Sequence, residues 1–298
     1  MTAPPALHVA CATEGAGYVA HCATMLHSVL SQHPAGGVHV HYMHGPDLSA
    51  RARRRLARMV ERDGGAISFL PVPDERVAGL PTRGFTRKAT WYRIFLPHLR
   101  EGLDRILYLD ADLLALQPLT ALWDTPLEGH YVAAVTNVFP PWFSPRANPS
   151  SYFNAGVMLM NLDAMRRDEC TGALFDYGVR HADDLEMRDQ DALNAVLGAH
   201  RRPLHPRWNC MNAVLMFPAA VELFGAGMVD QARRDPAIRH FEGPADNKPW
   251  HLMCQRDLRE LYRQHRRRTP WPRMRPEGVT PRNVARRARA RARARLYR

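Results

Sequence analysis

Apolar positions follow two alternating spacings along the first seventy residues. Leu7 to Ala12 alternates weakly, as a strand with one buried face does. A Gly-containing turn, Thr13-Glu14-Gly15-Ala16-Gly17, comes next. Val19, Cys22, Ala23, Leu26, Val29 and Leu30 then recur every three or four positions, which predicts a helix from about Tyr18 to Ser31. Val38 to Met43 reads as a second strand, Ser49 to Asp63 as an Arg-rich amphipathic helix and Ile67 to Val72 as a third strand. Further on, Ala89 to Leu96 reads as helical, Ile106 to Leu109 and Tyr131 to Thr136 as strands, and Phe153 to Leu162 as a buried strand entered through Asn154 and Gly156. Asp189 to Leu197 opens a helix on acids, as the helix dipole favours, and residues 257–265 make a last one. Strands alternating with helices predict an open, doubly wound α/β sheet with parallel pairing. Ligands on such sheets gather beyond the carboxyl ends of the strands.

One strand end carries the strongest chemical signal. The apolar run Ile106-Leu107-Tyr108-Leu109 stops at Asp110-Ala111-Asp112. Residues two apart in a strand share a side, so both carboxylates aim together beyond its end. Two carboxylates at one point repel unless a cation compensates them, and Mg²⁺ or Mn²⁺ is the usual guest of oxygen sites shared with phosphates. A pair of solvated loop acids is the bland alternative for an isolated motif. His39 and His41 share the other face of the second strand, as a metal pair or a packed strand face. Residues 138–151, with Pro140, Pro141, Trp142, Phe143, Pro145 and Pro149, form an irregular aromatic loop, either a surface excursion or an acceptor wall.

Charge changes the picture only once it is localised. The chain carries +12, yet from Arg263 onward there are fourteen Arg and a single acid, Glu277. The preceding 262 residues hold 27 basic and 28 acidic groups, so the body is neutral and the tail is the cation. A basic folded body, the footprint of a nucleic-acid-binding domain, is missing, and nucleic acid is not an expected partner. No run of eighteen apolar residues exists and the start lacks a secretory pattern. Five scattered cysteines without a Cys-x-x-Cys suit reduced thiols in a cytoplasmic protein. Arginine outnumbers lysine 39 to 2, which singles out Lys88 and Lys248 as places where a compact point charge is needed.

Taken in order, the segments CATEGAGYVAHCATMLHSVL, TWYRIFLP, ILYLDADLL, LTALWDTPL, YFNAGVMLMNL, DQDALN and RHFEGPADNKPWH resemble the family 8 glycosyltransferases, a group that includes bacterial lipopolysaccharide galactosyl- and glucosyltransferases. The resemblance runs from about Leu7 to Trp271. It implies a GT-A fold: a Rossmann-like, mostly parallel central sheet flanked by helices, spanning residues 1–262, with a helical or irregular, Pro- and Arg-rich basic tail at 263–298. It implies a metal-dependent, configuration-retaining transfer of galactose or glucose from a UDP-sugar to a bacterial surface glycan or lipid-linked acceptor. Asp110, Asp112 and His240 would hold Mn²⁺ or Mg²⁺. Ala12, Thr13, Tyr18, Arg93, Asp110, Ala111, Asn154, Asp189, Gly243 and Lys248 would hold the nucleotide sugar. Gln190 and Asp189 would serve catalysis, Gln190 near the anomeric carbon and Asp189 orienting sugar hydroxyls. An amide oxygen is a poor nucleophile, which favours same-face attack assisted by the leaving phosphate, while a covalent intermediate on an Asp stays open. The first loop departs from the family pattern: Thr13-Glu14-Gly15 stands where relatives commonly have Asp-Asp or Thr-Asp.

A phosphatase of the haloacid dehalogenase type also sets Asp-x-Asp after an apolar strand. It wants Thr or Val where this chain has Leu114. The non-enzymatic alternative is an inactive sugar-nucleotide- or RNA-binding module, against which the intact acids, His240 and Gln190 speak. The tail, after a Pro-rich break at 269–281, ends in RRARARARARLYR. Alternate Arg spreads charge over two helix faces, so this segment is expected to stay disordered until it meets an anionic membrane. That would place the enzyme peripherally at the inner face of the cell membrane.

Overall fold

The computed structural model describes residues 7–82, 88–143, 150–254, 258–273 and 275–296. Its strands are β1 (Leu7–Thr13), β2 (Val38–His44), β3 (Ala66–Pro71), β4 (Arg105–Leu109), β5 (Leu113–Ala115), β6 (Val132–Thr136), β7 (Phe153–Asn161), β8 (Arg201–Pro203), β9 (Cys210–Met211) and β10 (Ile238–His240). The main sheet runs β3-β2-β1-β4-β7-β6-β8, and a small second sheet runs β5-β10-β9. β1 pairs in parallel with both β2 and β4, and β2 with β3. The chain thus winds outward from β1 in one direction and from β4 in the other, leaving a crevice at their carboxyl ends.

Parallel pairing does not extend through the whole sheet. β7 runs antiparallel to both β4 and β6, while β6 pairs in parallel with β8. That reversal matters for function, because it brings the start of β7, with Asn154 and Gly156, beside the end of β4 and Asp110. The amide of Asp110 donates to the Gly156 carbonyl at 2.9 Å.

Both faces of the sheet are covered. Leu7, Val9 and Cys11 of β1 pack with helices Gly15–Leu30 and Ala50–Arg62, and Ala10 faces a second core with Tyr108, Met158 and Trp91. Ser49 caps the Arg-rich helix, accepting from the Ala52 amide, while Leu56, Met59 and Val60 form its buried stripe.

Three expectations change. The segment Ala89 to Leu96 is not one helix: it forms 3₁₀ turns at Lys88–Thr90 and Tyr92–Phe95 and a short helix at Leu96–Leu99. Every residue from Trp91 to Leu96 is buried, Arg93 included, so the segment lacks the solvent-facing stripe of an amphipathic helix. The last body helix, Arg259–Arg267, runs across the 262/263 boundary, its Tyr262 and Arg266 buried. The basic tail, read as helical or irregular and expected to stay disordered until it meets a membrane, carries a helix at Pro281–Leu296. Ala and Arg are both strong helix formers and Pro is favoured in the first turn. Thr280 accepts from the Asn283 amide at 3.2 Å, capping it. Pro145 and Pro149 of the aromatic loop, Asp257, and the chain's first six and last two residues lie outside the described residues.

Candidate active site

β4 delivers Asp110, the loop after it Asp112, and the end of β10 His240. Ligand atoms of these three all lie within 4.8 Å of one another. His240 is buried and clamped. Its Nδ1 pairs with Asn209 Oδ1 at 2.9 Å, which turns Nε2 toward Asp112 Oδ1 at 3.2 Å. Asn209 in turn donates to Asn154 Oδ1 at 2.9 Å, and the Gly156 amide donates to the same oxygen at 3.0 Å. An imidazole oriented through its far nitrogen, beside two carboxylates, is the donor chemistry that a hard-to-borderline divalent ion takes.

Two basic side chains balance the charge of these acids. Arg93, buried and stacked 4.3 Å from the centre of the Tyr108 ring, reaches Asp110 at 3.1 Å and Asp189 at 3.4 Å. Lys248 pairs with Asp112 and donates to the Phe241 carbonyl at 2.7 Å. Burial disfavours the charged form of Asp112, yet Lys248 and His240 outweigh it and hold the carboxyl well below the usual range. Burial pushes the Asp189 carboxyl up to about 6, against the pull of Arg93. Burial also works against a protonated His240, but Asp112 beside it raises its pKa.

Asp189 and Gln190 open the helix Asp189–Leu197. The Gln190 side-chain oxygen accepts from the Ala155 amide at 3.0 Å and from Asn154 Nδ2 at 3.3 Å. Arg188, just before, holds φ 59° and ψ −116°, a strained backbone for a side-chain-bearing residue. Such outliers gather where a chain is bent to position functional groups.

Arg93, Asp110, Asp112, Asn154, Asp189, Gln190, His240, Gly243 and Lys248 line one cleft of about 240 Å³. Gly243 holds φ 89°, the left-handed region that suits glycine. Ala12, Thr13, Tyr18 and Ala111 are not among its lining residues. Thr13, at the end of β1, bonds the Tyr42 hydroxyl at 2.7 Å, and Tyr18 packs edge-on to Trp250, 6.0 Å between ring centres. Sequence reasoning missed Thr90, Met187 and Glu242 in the cleft and Asn209 behind His240. Glu242 sits between the quoted His240 and Gly243 and was within reach of the motif; Asn209 carries no local signal. A second cavity, about 650 Å³, opens on the other face of the same helix, with Phe139, Phe143, Tyr152, Tyr177 and Asp191 in its wall. Met187 borders both.

Comparison with known proteins names the class. The sequence profile of Glycosyl transferase family 8 matches residues 10–254, and the chain belongs to that family. It is 30% identical over 227 residues to General stress protein A of Bacillus subtilis, covering 74% of this chain and 79% of that one. It is 24% identical over 261 residues to lipopolysaccharide 1,3-galactosyltransferase of Salmonella typhimurium, covering 84% of this chain and 75% of the relative. The crystal structure of galactosyltransferase LgtC with donor and acceptor sugar analogues superposes with a TM-score of 0.76 at 26% identity, over 89% of this chain and 96% of that one. The protein is a glycosyltransferase with the GT-A fold.

Proposed function

We propose that the chain transfers galactose or glucose from a UDP-sugar to a bacterial surface glycan such as lipopolysaccharide core, with retention of anomeric configuration and with Mn²⁺ or Mg²⁺ bound by Asp110, Asp112 and His240. The observation that carries this reading is the convergence of two carboxylates and one oriented imidazole in the cleft that also contains Lys248 and Gln190. The Salmonella relative, a lipopolysaccharide 1,3-galactosyltransferase, supports the acceptor class, and the similar galactosyltransferase LgtC supports the hexose. A metal ion held by Asp110, Asp112 and His240 would supply charge stabilisation for the departing diphosphate.

The protein's own groups do the rest. On donor binding, Lys248 leaves Asp112 for the diphosphate, and Gly243 lets the backbone approach it. Arg93 keeps Asp189 ionised and in place, so that its carboxylate accepts from sugar hydroxyls. Gln190, fixed by the Ala155 amide and Asn154, presents its amide to the oxocarbenium-like carbon. Asp189 is engaged by Arg93 at 3.4 Å, which favours same-face attack over a covalent link to that residue. The aromatic cavity beyond Met187 takes the acceptor sugar, its rings stacking on the apolar sugar face. Among the described residues no helix is long and apolar enough to cross a membrane. The Pro281–Leu296 helix instead serves as an electrostatic contact to anionic lipid at the inner face of the membrane.

The test is turnover of UDP-galactose and UDP-glucose by the full chain, with Mn²⁺, with Mg²⁺ and with chelator, products read by mass spectrometry and NMR. Metal-dependent sugar release with retained configuration is the expected result. Inversion would overturn the mechanism. No turnover of any donor, with intact binding, would favour an inactive binding module.

A further inference from the structure

A second group of metal-ligating side chains, on β1 and β2, lies outside the cleft that holds the acids. β1 and β2 pair in parallel with His8 opposite His39 and Ala10 opposite His41, so all three imidazoles stand on one face of the sheet. His39 and His41 stack 4.4 Å apart, and His8 and His41 5.2 Å apart. One nitrogen from each ring falls within 4.8 Å of the others. We infer that His8, His39 and His41 form a transition-metal site of the Zn²⁺ class, separate from the donor-sugar site.

Four observations support this. First, His8 Nδ1 and His41 Nε2 lie 2.9 Å apart, near the roughly 3.4 Å that separates two nitrogens on a tetrahedral ion with bonds of about 2.05 Å. Second, His39 is already oriented: its Nε2 meets Ser68 Oγ on β3 at 2.7 Å, the arrangement by which a ligating histidine is held through its other nitrogen. Third, His41 is fully buried, so its ring is held in place with Nε2 turned toward His8. Fourth, burial keeps all three rings in the neutral, lone-pair-bearing form, lowering each pKa below the ordinary histidine value, that of His41 to about 2. Nearby charges oppose each other, since Arg100 disfavours added positive charge on the cluster and Asp104 favours it at His8.

Imidazole ligands suit Zn²⁺, Ni²⁺ and Cu²⁺ over Mg²⁺ and Ca²⁺. Stacked rings direct their lone pairs side by side, so binding requires His8 and His39 to tilt toward a common point. Both are half-buried, whereas His41 is the fixed ligand. Bound metal would tie β1 to β2 within the sheet without touching the catalytic cleft.

The experiment is a Zn²⁺ titration by calorimetry of the full chain, of Asp112→Asn and of His8→Gln/His39→Gln. Wild type should take up one more equivalent than the histidine variant, and Asp112→Asn should keep that equivalent. Equal uptake by wild type and histidine variant would overturn the site. Should the double variant fail to fold, Co²⁺ added to Asp112→Asn decides: visible ligand-field bands of a nitrogen-ligated ion support the site, and their absence removes it.

Discussion

A Cβ placed on Gly156 would lie 2.3 Å from Cε1 of His240 and 3.0 Å from Asp110 Oδ2. This glycine near the start of β7 is therefore the floor on which the imidazole rests, and its missing side chain is what lets the three acidic and imidazole groups meet. Gly156→Ala should displace the His240 ring, because Asn209 holds its other nitrogen and leaves little freedom to yield. Displacement of about 1 Å within a site costs on the order of 100-fold in rate. The variant should fold, losing about 1–3 kcal/mol from overpacking. Wild-type Mn²⁺ affinity together with a wild-type transfer rate would show that the ring's position is unimportant.

Gln190→Ala tests the chemical step. The side chain's oxygen is fixed by the Ala155 amide, so the residue is preorganised before substrate arrives. Groups aimed at developing charge are worth about 10²–10³ in rate. The expected result is a kcat lowered by that order with donor KM nearly unchanged. A rise in KM alone would reassign Gln190 to ground-state binding.

The strands and long helices were readable in the sequence because burial on one face leaves a period. The helix Asp189–Leu197 begins and ends where its acids and apolar stripe predict. Trp91 to Leu96 misled because every residue there is buried, and a segment without a polar face has no period to read. Antiparallel β7 was hidden for a related reason: a strand buried on both sides has no directional signature. Asp110 and Asp112 were visible as a local pair. His240 joined them only through the family resemblance, since it lies 128 positions from Asp112, and Asn209, which orients it, carried no signal of its own. The first-loop residues Thr13 and Tyr18 were drawn in by resemblance, and they pack with Tyr42 and Trp250 instead of lining the cleft.

Acid should unfold the protein through its buried histidines. Burial lowers His41 to about 2 and His265 to about 4, against 6.5 for the free side chain. Between those values and 6.5 the unfolded chain binds protons that the folded chain refuses. Stability therefore rises with pH through this window and is lost as pH falls below about 6.5. The melting temperature should drop steadily from pH 7 to pH 5. His265→Gln, at the half-buried end of the His27–His265 contact, should flatten that slope. An unchanged slope would place the acid sensitivity elsewhere.

The last expectation concerns residues 282–298. The helix Pro281–Leu296 presents Arg286 and Arg289 to solvent, and all cleft residues precede Trp250. Deleting 282–298 should thus leave turnover of a soluble acceptor nearly intact. Binding to vesicles of anionic lipid should fall sharply, since each basic residue near such a surface contributes about 1 kcal/mol. The intact protein should show the same loss as salt rises, because a Debye length of about 8 Å at physiological ionic strength already screens exposed charge. Neutral vesicles should hold neither form. Arg287 of the helix donates to the Leu252 carbonyl of the body, so melting curves of both forms are needed to separate anchoring from stability. A truncated protein that folds normally and still sediments with anionic vesicles as strongly as the full chain would exclude the tail as the membrane contact. Loss of RNA binding of comparable strength at physiological salt would assign the helix to nucleic acid instead.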